Sequence, residues 1–167
     1  MDNTGNSFNT KLSKKLIRKA NKKGFFKIGI YMPQSDTNIG SLLRMAYCMG
    51  ASEVFYIRSK GYEKQATDTL NSWKDMPLVR YDSFDTLYNN LPYSTQLVGI
   101  ELSDLSESII PFEHPERAVY LLGAEGNGLP LQYQERCHSI IELPSLHCLN
   151  VSHTGSIVMY DRISKKL

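Results

Sequence analysis

A chain of 167 residues with 41% hydrophobic side chains, 22% charged side chains and a net charge of +2 suits one soluble domain, large enough to bury roughly 70% of its unfolded surface. No apolar run reaches the length of about 18 residues that a membrane span needs, and the polar start of the chain lacks the apolar core of a secretory leader. Cys48, Cys137 and Cys148 are odd in number and lack CxxC spacing, which argues against a disulfide framework and for a reducing cytoplasm.

The charge is unevenly placed. Residues 11–27 hold Lys11, Lys14, Lys15, Arg18, Lys19, Lys22, Lys23 and Lys27 and no acid, while Leu12, Leu16, Ile17 and Ala20 recur at helical spacing. Residues 1–24 therefore read as a basic segment carrying an amphipathic helix. Such a helix suits polyanionic nucleic acid, an anionic membrane surface, or solvent alone. From 25 to 167 the chain reads as one continuous domain. Residues 27–31 predict a buried strand, and 38–49 a helix with Leu42, Leu43, Met45, Ala46 and Met49 on one face, stopped by Gly50. Residues 54–57 predict a strand, 63–73 a helix, 78–81 a short strand, and 83–90 a helix capped by Ser83. Residues 96–102 predict a fourth strand, followed by a polar, proline-containing loop to about 116. Strands at 118–122 and 139–143 follow, with a short helix near 131–137 between them and a last helix from about 150 to 165. This alternation predicts an α/β fold, a mostly parallel sheet flanked by helices.

Each of the last two strands ends in a loop of small or polar residues, and loops at the carboxyl ends of strands are where open α/β sheets bind ligands. Gly123, Gly126 and Gly128 permit close backbone approach or positive φ, for a ligand or for a tight connection alone. Their spacing is not G-x-G-x-x-G, and the Lys and Ser/Thr of a P-loop are missing. Glu125 reads as a solvated loop acid or an orienting carboxylate. Beside the first strand, Asn38 opens a helix on which Arg44 points away from the apolar face, so both are candidates to address one substrate. Cys137, His138, His147, Cys148 and His153 lack metal-ligand spacing, and no metal is expected. His153, inside the last helix, reads as a packing or dimer contact.

Together these segments resemble the SpoU (TrmH-like) branch of the SPOUT RNA methyltransferases. Asn38, Gly40 and Arg44 match its Asn-x-Gly-x-x-x-Arg helix start. Leu122-Gly123-Ala124-Glu125-Gly126-Asn127-Gly128-Leu129-Pro130 matches its second motif; Leu143-Pro144 and Cys148-Leu149-Asn150-Val151-Ser152 match its third. The resemblance implies the SPOUT fold, with the C-terminal part threaded as a trefoil knot, an exception to unknotted topology. It implies S-adenosylmethionine bent into the knotted loops, a homodimer that completes the site, and methyl transfer to a ribose 2′-hydroxyl of RNA, with tRNA favoured and rRNA the alternative. By matched motif, Arg44 is implied as the catalytic arginine, Asn38 as its neighbour, and Glu125 and Asn150 as organisers of the site. Ile100, Glu101, Gly123, Leu143, Cys148 and Leu149 are implied as cofactor contacts, and Lys15, Arg18, Lys19 and Lys22 are the candidate RNA contacts. A non-catalytic RNA-binding module is the competing class. The chain departs from the family in two places: Cys148 stands where serine is usual, and the loop after Pro144 is about three residues shorter than in many relatives. A thiol is a weaker hydrogen bonder than a hydroxyl.

Overall fold

The computed structural model describes residues 5–22, 24–64 and 72–167, except for the side chains of residues 5–10 and of Trp73. After helix α1 (Gly5–Ala20) come β1 (Phe25–Tyr31), α2 (Asp36–Met49), β2 (Glu53–Ile57), β3 (Leu78–Tyr81) and α3 (Phe84–Asn89). The second half holds β4 (Gln96–Ile100), β5 (Glu107–Ser108), β6 (Arg117–Leu122), α4 (Leu131–Gln134), β7 (Ser139–Glu142) and α5 (Val151–Lys165). The strands form one sheet in the order β3-β2-β1-β6-β4-β7-β5, and every pairing between them is parallel.

Parallel strands covered on both faces need apolar side chains in both directions, and the core divides accordingly. Phe26, Ile28 and Ile30 of β1 meet Leu42, Leu43 and Ala46 of α2 and Val158 and Met159 of α5 on one face. Phe55, Ile57, Leu97, Val119 and Leu121 meet Phe84 and Leu87 of α3 and Leu129 on the other. Helix α5 lies close on α2 because Gly155 has no side chain: a Cβ there would sit 2.6 Å from Leu42 Cδ1.

Five elements differ from expectation. Helix α2 begins before Asn38, because the Ser35 hydroxyl caps it by accepting from Thr37 N at 3.2 Å. Of the helix expected over 63–73, residues 65–71 lie outside the described residues, and Ser72–Lys74 form a 3₁₀ turn. Glu63 and Lys64 are not helical; the Glu63 amide instead donates to Asp36 Oδ2. Strand β4 stops at Ile100, and α4 stops at Gln134 rather than 137. Within the loop read as polar, β5 adds two residues beside β7, too few to show any period.

Candidate functional site

The loops that follow β1, β4, β6 and β7 all emerge at the carboxyl edge of the sheet. Arg58, just past β2, organises the first of them. It pairs with Asp36 and donates to the carbonyls of Pro33 (3.3 Å), Lys60 (2.9 Å) and Gly61 (2.8 Å). Burial alone would raise the Asp36 pKa, but the hydrogen bond and charge of Arg58 hold its carboxyl below the usual range. This latch fixes the entry to α2, and with it Asn38.

The loop after β6 closes on itself, with Ala124 and Gly128 exchanging both backbone hydrogen bonds. Gly128 takes φ 63, and a Cβ there would lie 2.5 Å from Glu101 Oε2. The Glu101 carboxylate accepts from Leu102 N at 3.0 Å and from Leu129 N at 2.5 Å, bracing the loops after β4 and β6 against each other.

At the tip of that loop, Glu125 Oε2 accepts from Gln34 N at 3.0 Å and Oε1 from Asn38 Nδ2 at 2.7 Å. Asn38 Oδ1 accepts from Asn150 Nδ2 at 3.0 Å. Asn150 Oδ1 then caps α5, accepting from Ser152 N (2.9 Å), Ser152 Oγ (2.7 Å) and His153 N (3.4 Å). A carboxylate only accepts, so Asn38 must turn its NH₂ to Glu125 and its oxygen to Asn150. The polarity of the whole relay follows, and it runs from a negative charge to the positive end of a helix. Glu125, Asn38 and Asn150, one from each of three separate sequence motifs, thus form one hydrogen-bonded unit.

Beside the relay lies a cleft of about 530 Å³, within the range of small-molecule sites. Ile100, Glu101, Gly123, Leu143, Cys148 and Leu149 all line it, as do Glu125 and Asn150. Sequence reasoning missed Glu142, which also lines it and accepts from Ser106 Oγ at 2.6 Å. Its signal was available: Glu142 ends β7 much as Glu101 follows β4. Among the described residues three glutamates line the cleft, and no lysine, arginine or histidine does.

Arg44 stands apart. It is half-buried on α2, does not line the cleft, and makes no hydrogen bond or ion pair with another described residue. Lys15, Arg18 and Lys22 are exposed, and Lys19 Nζ donates to Leu167 O at 2.9 Å. None of these four lines the cleft. Cys137 and His138 serve the fold: burial pushes the Cys137 thiol up to about 12, and His138 Nδ1 accepts from Leu97 N at 3.0 Å.

Residues 26–160 match the SpoU rRNA Methylase family. The chain belongs to that family. It is 22% identical over 135 residues to the 23S rRNA (guanosine-2′-O-)-methyltransferase RlmB of Salmonella typhi, covering 77% of this chain and 56% of RlmB. The SpoU chain therefore spans about half the length of the curated relatives it matches. An AdoMet-bound rRNA methyltransferase from Sinorhizobium meliloti superposes with a TM-score of 0.77 at 19% identity, over 91% of this chain and 60% of that one. The TrmH/SpoU tRNA modifying enzyme of A. aeolicus superposes with a TM-score of 0.76 at 20% identity, over 93% and 83%. At such identities these structures establish the shared fold. Helix α1 lies outside the residues matched to the SpoU family.

Proposed function

We propose that this SpoU-family chain is an S-adenosylmethionine-dependent RNA methyltransferase acting on a ribose 2′-hydroxyl. The observation that carries the reading is the acid-lined, cation-free cleft joined to the Glu125–Asn38–Asn150 relay. A nucleoside phosphate would call for Lys, Arg or a P-loop. S-adenosylmethionine has no phosphate and carries a sulfonium and an ammonium, which suit Glu101, Glu125 and Glu142. Apolar Ile100, Leu143 and Leu149 suit its adenine, and the backbone at Gly123, Leu143 and Leu149 offers hydrogen bonds. Bound there, it would supply the activated methyl group.

The rest of the rate must come from positioning the hydroxyl in line with the methyl group and from handling its proton. A guanidinium with a pKa above about 12 is a poor base. Arg44 therefore grips the phosphate and ribose of the target nucleotide, while the proton leaves to phosphate or water. Glu125 and Asn150 hold Asn38 at the reaction centre in a single orientation. Because Arg44 stands off the cleft of its own subunit, a second copy completes the site. Exposed Tyr47 on α2 and Ile157 and Tyr160 on α5, two helices that pack together, offer the surface for that homodimer. The trefoil threading belongs to the same reading, with residues 123–130 and 143–150 as the loops that cross. We favour tRNA over rRNA; the superposition on the A. aeolicus tRNA modifying enzyme, over 93% of this chain, supports that choice.

Titration calorimetry with S-adenosylmethionine tests the reading. The native protein and Arg44→Ala should give similar heats, while methyl transfer to bulk tRNA falls by at least a hundredfold in the variant, on the scale of a lost transition-state contact. No heat from the native protein, or full turnover by Arg44→Ala, would contradict it.

A further inference from the structure

Helix α1 gains nothing from the family match, yet it carries the densest charge in the described chain. At about 100° per residue, Lys11, Lys14, Lys15, Arg18 and Lys19 fall within one arc of about 140°, and Lys22 follows in the next turn. Residues 5–22 contain no acid. Among the described residues none of these cations is in an ion pair, and all are exposed. The opposite side of the helix meets the body of the protein. Ala20 is buried, Ile17 lies against Gly50, and Asn21 Nδ2 donates to Gly50 O at 3.3 Å. Lys19 reaches the last residue, Leu167.

Those anchors fix where the cationic face lies. Gly50 precedes β2, Leu167 follows α5, and α1 itself leads into β1, so all three mark the amino edge of the sheet. The cleft is at the carboxyl edge. Helix α5 joins the two edges: it starts at the relay with Asn150 and runs for 15 residues, which at 1.5 Å per residue is about 22 Å.

We propose that the Lys11–Lys22 face of α1 is a second RNA contact, a phosphate-backbone anchor about 20 Å from the cleft, so that the substrate is a folded RNA spanning both ends of the domain rather than a short single strand. The inference rests on the methyltransferase reading above, and it names the class of substrate for that same site. A cationic stripe with no acid to neutralise it matches a regular array of phosphates. A membrane is the poorer fit. An interfacial helix needs a broad apolar face, whereas Ile17 and Ala20 are turned to the body and, among the described side chains of α1, only Leu12 and Leu16 show apolar surface.

The test compares the full-length protein with a triple variant, Lys15→Gln, Arg18→Gln and Lys22→Gln, in binding bulk tRNA and a short oligouridylate across a series of potassium chloride concentrations. For tRNA, the slope of log affinity against log salt should fall in magnitude by about 2 to 3, with affinity at least tenfold weaker at physiological salt. Affinity for the oligouridylate and the heat of S-adenosylmethionine binding should not change. An unchanged tRNA slope, equal weakening of both RNAs, or phosphatidylserine vesicles displacing tRNA from α1 would each overturn the anchor. Loss of S-adenosylmethionine binding by the native protein would instead overturn the methyltransferase reading, and the two failures are distinct.

Discussion

Asn150 uses both halves of its amide, and the two halves do different work. Its oxygen caps α5, and its NH₂ orients Asn38 through the 3.0 Å hydrogen bond. Removing the side chain in Asn150→Ala should cost about 1 kcal/mol for the lost cap and methyl transfer as well. Asn150→Asp separates the roles. The carboxylate still accepts from Ser152 N and His153 N and suits the helix N-terminus, so the melting temperature should stay within a few degrees, about 0.5 kcal/mol or less. The donor to Asn38 Oδ1 is gone and an acceptor faces an acceptor, so transfer should drop at least tenfold, the cost of a misoriented amide in a polar site. Melting curves beside turnover decide between them: an Asn150→Asp protein as active as the native one would reduce the relay to a cap.

The carboxyl half of α5 depends on a buried polar cluster that holds it to the segment before β6. Arg162, almost wholly buried, donates to Pro115 O, to Glu116 O at 2.8 Å and to Tyr120 Oη at 3.1 Å, and lies over the Phe26 ring. His114 hydrogen-bonds Tyr120 through Nδ1 at 2.7 Å and Asp161 through Nε2 at 2.8 Å. Burial drives the His114 pKa down to about 4, outweighing the pull of Asp161. Its unfolded value is about 6.5, so below that pH the unfolded chain takes up protons the folded one refuses. Stability is therefore full above pH 6.5 and is lost as pH falls toward 4, by up to about 2 kcal/mol between pH 7 and pH 5. Melting temperatures at the two pH values should show this drop in the native protein and a smaller one in His114→Gln; equal drops would contradict the assignment. None of this cluster was legible in the sequence, because Arg162 finds its partners, and His114 its Asp161, dozens of residues away. Six of the seven strands were legible, since buried parallel strands are continuous apolar runs, whereas the two-residue β5 was not. The start of α2 was not, because Ser35, Asp36, Thr37 and Asn38 are four successive residues able to cap a helix. For the site, the motifs singled out Asn38, Glu125 and Asn150, but only folding shows that they touch and that Arg44 does not.

At the scale of the whole molecule, strand order explains why the relay exists. Strands β1 and β6 are neighbours, yet the chain leaves β1 for α2 on one face and leaves β6 for α4 toward the other. Such a switch point opens a crevice at the carboxyl edge, and Glu125 reaches across it to Gln34 and Asn38. The cleft, the capped start of α5 and the relay are then three consequences of one topology, with the cationic α1 at the opposite edge. The activity proposed for this arrangement is methyl transfer to a ribose hydroxyl. It is tested most directly by incubating the purified protein with unmodified tRNA and S-adenosylmethionine, digesting the RNA to nucleosides, and identifying the products by mass spectrometry. The expected product is a 2′-O-methylnucleoside that is absent when Arg44 is replaced by alanine. A methyl group found on a base would contradict it.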